Sequence, residues 1–378
     1  METPAPNVET PNTTNFLNWV EIKNFKSIKD LRFDCKRVNV FIGKPNVGKS
    51  NILEGLGLLG TGYDAGKFLK GVVRYNDIRD LFWDSDTSDS VKISTNKQAA
   101  VISKFGESQQ TYNGETVLLN MIYYVGAFDE EDFEKNIKDK QMVGFEIFSS
   151  NANRQMDEHG STSNFIYNDP DKKKNFDEKL KIVKKYDFAN LTNFPATFQE
   201  YLFPPDGSNL YVMIRRDQNL WNDFAKLFTE QGLDLVLFDQ KQEFFLQKRR
   251  GPQIWQYPFF SIADTFRRFM FYITAIESNK NSVIVFEEPE VHSFPPYTQD
   301  VAYRMIYSEG NQFFVSTHSP YLLHTLVENL RDDQLNVFVT YYENYETKVK
   351  ALTPEELGFV QEYSTDVFFN LDRFVPNA

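Results

Sequence analysis

Eight consecutive residues, Gly43-Lys44-Pro45-Asn46-Val47-Gly48-Lys49-Ser50, have the GxxxxGK[ST] spacing that wraps a backbone around phosphate. The glycines let successive N–H groups point inward, and a helix starting at the loop's end adds partial positive charge, so anionic oxygens settle there. The spacing predicts Lys49 on the β- and γ-phosphates of ATP, the Ser50 hydroxyl on Mg2+, and Asn51 continuing the binding segment. Far along the chain, the apolar run Val283–Phe286 ends in Glu287 and Glu288. Carboxylates at the tip of a buried strand suit a metal-nucleotide site: Glu287 is expected to hold Mg2+ through water, and Glu288 to activate the attacking water as general base. Glu287 stands where Asp is usual, so a longer side chain must be accommodated. A second apolar run, Asn311 to Val315, delivers His318 at its end, placed to hydrogen-bond the γ-phosphate. Of the other histidines, His159 and His324 read as packed or surface residues and His292 is left open.

The elements that must carry these groups follow from pattern. Short β-rich runs at Leu17–Ile22 and Val38–Ile42, with the alternating segment Leu31–Cys35 between them, precede the glycine loop. Asn51 onward continues as a helix. Between about Asp84 and Tyr257 the pattern loosens, and the stretch 84–257 is expected to be an insertion. Within it Val117–Val125 reads as a strand, Ser149–Asp171 as polar loop, and Asp177–Tyr186 and Leu220–Gln231 as helices, the second stopped by Gly232. Leu235–Phe238 and Glu243–Leu246 read as paired strands. Order returns with helical spacing over Ser261–Glu277, buried-strand runs at Val283–Phe286 and Gln312–Val315, a hairpin of Leu335–Tyr342 with Thr347–Leu352, and a helix from Thr353-Pro354. Strands alternating with helices predict an α/β core with a mixed, mainly parallel sheet. The expected division is a disordered leader over 1–15, a head made of 16–83 and 258–378, and the insertion between.

Bulk properties narrow the field. With 378 residues and a formal charge of -12, the chain is large enough for more than one core and too acidic to be coated in basic surface for non-specific nucleic-acid binding. Cys35 is the single cysteine, which leaves no internal disulfide and no cysteine zinc site and fits a reducing cytoplasm. The leader lacks the basic start and apolar stretch of a secretory signal, and no run is apolar enough to span a bilayer. Lysines 172, 173, 174, 179, 181, 184 and 185 crowd one short span of the insertion; a solvated helix face is the commoner reading, a nucleic-acid or partner site the other.

Taken together, the Asn24-Phe25-Lys26-Ser27 segment, the GKPNVGKSN loop, a long insertion, Ser261-Ile262-Ala263-Asp264-Thr265 opening a helix, VIVFEEPEVH and VSTHSP resemble the ABC-type ATPases related to RecF, SMC and OLD proteins. The tail, with EEPE and STHSPYLL, is most similar to OLD-like ATPases of anti-phage and DNA-repair operons. The resemblance covers Leu17–Leu81 and Phe259–Val339 and implies an ABC-like ATPase head. It implies two ATPs sandwiched in a homodimer, each touching the loop, Glu287, Glu288 and His318 of one subunit and the segment from Ser261 of the other. That segment lacks the LSGGQ glycines, which leaves the roles of Asp264 and Thr265 open. Lys26 either approaches the nucleotide or is a solvated turn lysine. Too few residues follow His318 for the TOPRIM nuclease domain of OLD nucleases, and no heptad arms of the SMC kind are present. The implied function is a nucleotide-driven switch in anti-phage defence or DNA repair that signals to an effector protein, with DNA a possible partner and no membrane. The alternative, from another class, is a scaffold that binds ATP, hydrolyses it little, and holds a toxin or nuclease inactive.

Overall fold

Residues 11–60, 69, 71–112, 115–127, 150–156, 166–167, 181–362 and 367–375 are described by a computed structural model of the protein. The elements run β1 (Trp19–Phe25), β2 (Ile28–Asp34), β3 (Val38–Ile42), α1 (Lys49–Leu58), β4 (Val91–Thr95), β5 (Gln98–Tyr112), β6 (Glu115–Ala127), β7 (Ser150–Met156), β8 (Ile166–Tyr167) and β9 (Val183–Tyr186). They continue with α2 (Leu210–Arg216), α3 (Gln218–Thr229), β10 (Asp234–Phe238), β11 (Glu243–Arg250), β12 (Gln253–Pro258), α4 (Asp264–Ser278) and β13 (Val283–Glu287). Last come α5 (Pro295–Tyr307), β14 (Gln312–Ser316), α6 (Pro320–Asn329), β15 (Leu335–Glu343), β16 (Glu346–Ala351) and α7 (Pro354–Glu362).

Three sheets result. The central one has the order β16-β15-β3-β14-β13-β9, parallel throughout except for the β15–β16 hairpin. Its inner strands β3, β14 and β13 are mostly apolar because both faces are covered. In β13, Ile284 and Phe286 enter one core with the helices, while Val283 and Val285 enter a second core between the two large sheets. That second core also takes Ile52, Leu53 and Leu56 of α1 and Val20, Ile22 and Phe25 of β1. The other large sheet, β2-β1-β4-β5-β6-β7-β8, is antiparallel. Strands β10, β11 and β12 form a small third sheet. The α/β architecture with a mixed, mainly parallel sheet is as the alternation of patterns predicts.

Several expectations are corrected. The segment read as helical over Asp177–Tyr186 ends in a strand: Val183–Tyr186 pairs in parallel with Val283–Phe286 as the edge of the central sheet. Lys184 and Lys185 are therefore not on a solvated helix face but buried in the sheet. Residues 172–174 and 177–180, like His159, lie outside the described residues. The polar stretch read as loop from Ser149 contains β7, which pairs with β6, although nothing in Ser-Asn-Ala-Asn-Arg-Gln alternates in polarity. The stretch 84–257 hands strands to both large sheets, since β4 pairs with β1 and β9 with β13. Residues 11–15, expected within a disordered leader, are fastened to the body: the Asn15 amide donates to Asn281 Oδ1 at 3.0 Å and its side chain to Asn281 O at 2.8 Å.

Candidate functional site

The strand register decides what meets at the site. Glu287 pairs opposite Ser316, and Ser316 opposite Phe41, so the C-terminal tips of β13, β14 and β3 lie side by side. Each tip continues directly into a segment singled out from the sequence. Beyond them open α/β sheets present their ligand sites.

The loop after β3 is tightly seated. Gly48 has φ 96°, and a Cβ there would sit 2.0 Å from Thr347 Oγ1 and 2.9 Å from Ser27 Oγ, so only glycine fits. At Gly43 a Cβ would lie 2.4 Å from the Thr340 carbonyl oxygen. The β16 strand thus braces the loop, and Thr347 Oγ1 donates to Val47 O at 2.9 Å. Asn51 Nδ2 donates to Ser27 Oγ at 2.7 Å, tying the start of α1 to the turn between β1 and β2. Lys49 Nζ folds back on the loop, donating to Gly43 O at 3.0 Å and Lys44 O at 2.9 Å.

A cavity of about 580 Å³ opens over this loop. Pro45, Asn46, Gly48, Lys49, Ser50 and Asn51 line its floor. Glu288 and His318 line it from the other two strand tips, 3.4 Å apart between Oε1 and Nε2. Gly43, Lys44 and Val47 of the loop do not line it, and the Lys44 ammonium is turned to Asp372 Oδ1 at 2.6 Å. Ser261 is exposed and outside this cavity of its own chain. The helix expected from Ser261 starts only at Asp264, because Ile262 is buried in the core in extended conformation and holds the preceding turn apart.

Burial and charge set the protonation states. Lys49 is lowered by burial, against the pull of Glu288, Glu287 and Glu290. His318 is lowered from 6.5 by burial and by the nearby Lys49 ammonium, with Glu288 opposing, so it is neutral at pH 7. Glu288 has φ 44°, an unfavourable left-handed backbone for a non-glycine residue, held by its amide donating to Ser316 O at 3.0 Å.

Three features go beyond what the motifs imply. Glu290 is half-buried beside the β14 tip, where its Oε1 accepts the Thr317 hydroxyl and the His318 amide, both at 2.7 Å; its other, buried oxygen has no hydrogen-bond partner among the described residues, and desolvation raises its pKa. Arg74 lines the loop cavity and binds two acids, Glu54 Oε1 at 2.6 Å from Nε and Glu287 Oε1 at 3.0 Å from Nη2. Tyr342, from the β15–β16 hairpin, lines the opposite wall. Only Glu54 carried a local signal: it is a charged residue on the otherwise apolar face of α1, and buried charges need partners.

Glu287 and Lys26 are placed differently from the simplest expectation. Glu287 lies in an adjoining cavity of about 220 Å³, held by Arg74 and, at 3.8 Å, by the buried Lys185 ammonium. Lys26 is neither a free surface lysine nor part of the loop cavity: it ion-pairs with Glu54 and donates to Arg74 O at 2.6 Å. His292 accepts or donates at 3.0 Å to Asp264 Oδ2, and Thr265 Oγ1 donates to His292 O at 2.6 Å, which pins the turn after β13 to the start of α4. His324 pairs with Glu328 on the α6 surface at 2.9 Å. Among the described residues no group of three His, Cys, Asp or Glu side chains stands ready to hold a metal alone. Among the described residues no helix is long and apolar enough to cross a membrane.

Among the solved structures similar to the chain are two Smc heads. One is an Smc head bound to the C-terminal winged-helix domain of ScpA, 15% identical, covering 91% of this chain and 99% of that one with a TM-score of 0.49. The other is the Pyrococcus furiosus Smc head with an extended coiled coil bound to the C-terminal domain of ScpA, 13% identical, covering 92% and 98% with a TM-score of 0.48. No curated protein matches the chain in sequence. A profile of the AAA ATPase domain matches residues 16–243, more than half of the chain, from β1 through the phosphate loop and into β11. The chain belongs to the AAA ATPase domain family.

Proposed function

We propose that the chain binds ATP with Mg2+ in the 580 Å³ cavity and hydrolyses it, the cycle of binding and turnover acting as a switch. The observation that carries this reading is the convergence of Lys49, Glu288 and His318 on one cavity from three separate strand tips. Lys49 supplies positive charge to the β- and γ-phosphates, and Ser50 and Glu287 hold the cation, whose chemistry is to neutralise charge on the leaving phosphate. Glu288 orients and deprotonates water, and neutral His318 donates to the γ-phosphate. The ATP-bound form is a homodimer in which Ser261, exposed and outside its own chain's cavity, contacts the nucleotide of the second subunit; that exposure supports the reading. The similarity of EEPE and STHSPYLL to OLD-like ATPases supports anti-phage defence or DNA repair, with an effector protein or DNA reading the state. Lys49→Ala should abolish ATP binding followed by fluorescence of a labelled nucleotide; unchanged binding would remove the site.

A second reading has its own observation. Both oxygens of Glu287 face cations, Arg74 and Lys185. A carboxylate so engaged supports slow turnover, with the ATP-bound state holding a toxin or nuclease partner inactive. Tight ATP binding without turnover would favour it.

His318 also gives a pH signature. Its pKa lies below 6.5, so the neutral form persists as pH falls to that value, and turnover that needs it should decline only below it. A decline centred above 6.5 and abolished by His318→Asn would contradict this assignment.

A further inference from the structure

We propose that the β11–β12 hairpin is a binding surface for single-stranded nucleic acid, separate from the nucleotide cavity and independent of the reading given to it. Pairing between β10 and β11 ends at Asp234 with Gln247. Beyond that point Lys248, Arg249 and Arg250 pair only with Trp255, Ile254 and Gln253 of β12, as a two-stranded ribbon turned by Gly251-Pro252. Gly251 has φ 56° and nothing within 4 Å of where a Cβ would be, so the ribbon's tip stands clear of the body. The other edge of β12 has no strand beside it among the described residues.

What the ribbon displays is specific. Trp255 lies across from Lys248 and Tyr257 across from Leu246, so both rings share the face whose inner end, Phe244 and Leu246, is rooted in the core. The two rings are about 6.7 Å apart along the strand, enough for a separate base on each. They are 41% and 43% exposed, open to a stacking base. Lys248 and Arg250 stand on that face with them and Arg249 on the other, and no acidic side chain among the described residues pairs with any of the three. In a chain of net charge -12 this is a local reversal of sign.

Cations that hold phosphates next to rings that stack on bases are what non-specific single-strand binding uses. A duplex keeps its bases stacked and offers nothing to the rings. A protein strand added to the open edge of β12 would bond through backbone and gain little from them. The lysine run at 172–185 does not compete as a surface where it is described, since Lys184 and Lys185 are buried.

The test is fluorescence anisotropy of the full chain with labelled oligothymidylate, oligouridylate and a duplex, across a salt series. Either single strand should bind in preference to the duplex. Replacing Lys248 and Arg250, on the face of the rings, by Gln should flatten the slope of log affinity against log salt by about 1.4, from roughly 0.7 for each phosphate no longer neutralised. Trp255→Ala should weaken binding about 5- to 150-fold and Trp255→Phe should restore most of it. Neither change touches the ATP cavity, so an unchanged melting temperature and ATP affinity would show the variants are folded. No binding by the wild type at low salt, an equal or greater affinity for duplex, or binding that survives both variants would overturn the proposal, the last placing the nucleic acid elsewhere on the chain.

Discussion

Strands β3 and β9 lie in the same parallel sheet, and both are wholly buried, yet they are built from opposite materials. β3, Val-Asn-Val-Phe-Ile, sits between β14 and β15 with apolar neighbours on both faces, and its one polar residue, Asn39, bonds Lys36 O and Phe313 O. β9, Val-Lys-Lys-Tyr, is the sheet's edge and buries two lysines. Their heads go to opposite sides. Lys184 donates to Ser282 Oγ at 2.7 Å and covers the Tyr201 ring, while Lys185 reaches Glu287 at the site. A central strand carries the phosphate loop by packing alone; the edge strand carries charge to the metal-side acid, at a cost in desolvation.

Substitutions probe that contrast. The largest effect is expected in β3: Phe41→Ala, removing a fully buried ring stacked on Phe338 at 5.1 Å, should cost about 3–5 kcal/mol in urea unfolding. A loss below about 1 kcal/mol would mean that packing does not anchor the loop strand. In β9 the effect should depend on pH. Burial lowers the Lys184 ammonium from 10.5 to about 7, so between those values the unfolded chain binds the proton that the folded chain has released. Stability must then rise with pH across that window, by about 3 kcal/mol from this group between about pH 7 and about pH 9.5, and be least below pH 7. Lys184→Met should remove that rise, as urea unfolding at about pH 7 and about pH 9.5 would show; an unchanged slope would contradict the burial of a lysine that disfavours its charged form. Smaller still, a double-mutant cycle on Lys185→Met and Glu287→Gln should give a coupling of about 1 kcal/mol, since the 3.8 Å pair is shared with Arg74. The smallest is His292→Ala, about 0–0.5 kcal/mol, because its pair with Asp264 is exposed.

The same contrast explains what the sequence shows and what it hides. The loop, the β13 and β14 tips and their residues are legible because each is a contiguous signal, an apolar run followed by a functional group. β9 is not, because two lysines replace the apolar positions by which a buried strand is recognised, and helical spacing then fits as well. Arg74, Tyr342 and Glu290 reach the site from a loop, a distant hairpin and a position masked among other acids, so only the fold joins them. The three-residue shift at the start of α4 is a boundary error of the ordinary kind, set by one buried side chain, Ile262.

Whether the cavity over the phosphate loop is where hydrolysis occurs can be decided by ATP turnover of the purified wild type and Glu288→Gln, with gel filtration of each with and without ATP. Turnover should be reduced about 10²- to 10⁴-fold in the variant, with ATP-dependent dimers that persist because hydrolysis no longer reopens them. Equal turnover in the two proteins would contradict the assignment of Glu288 as general base, and with it the cavity as the site of hydrolysis.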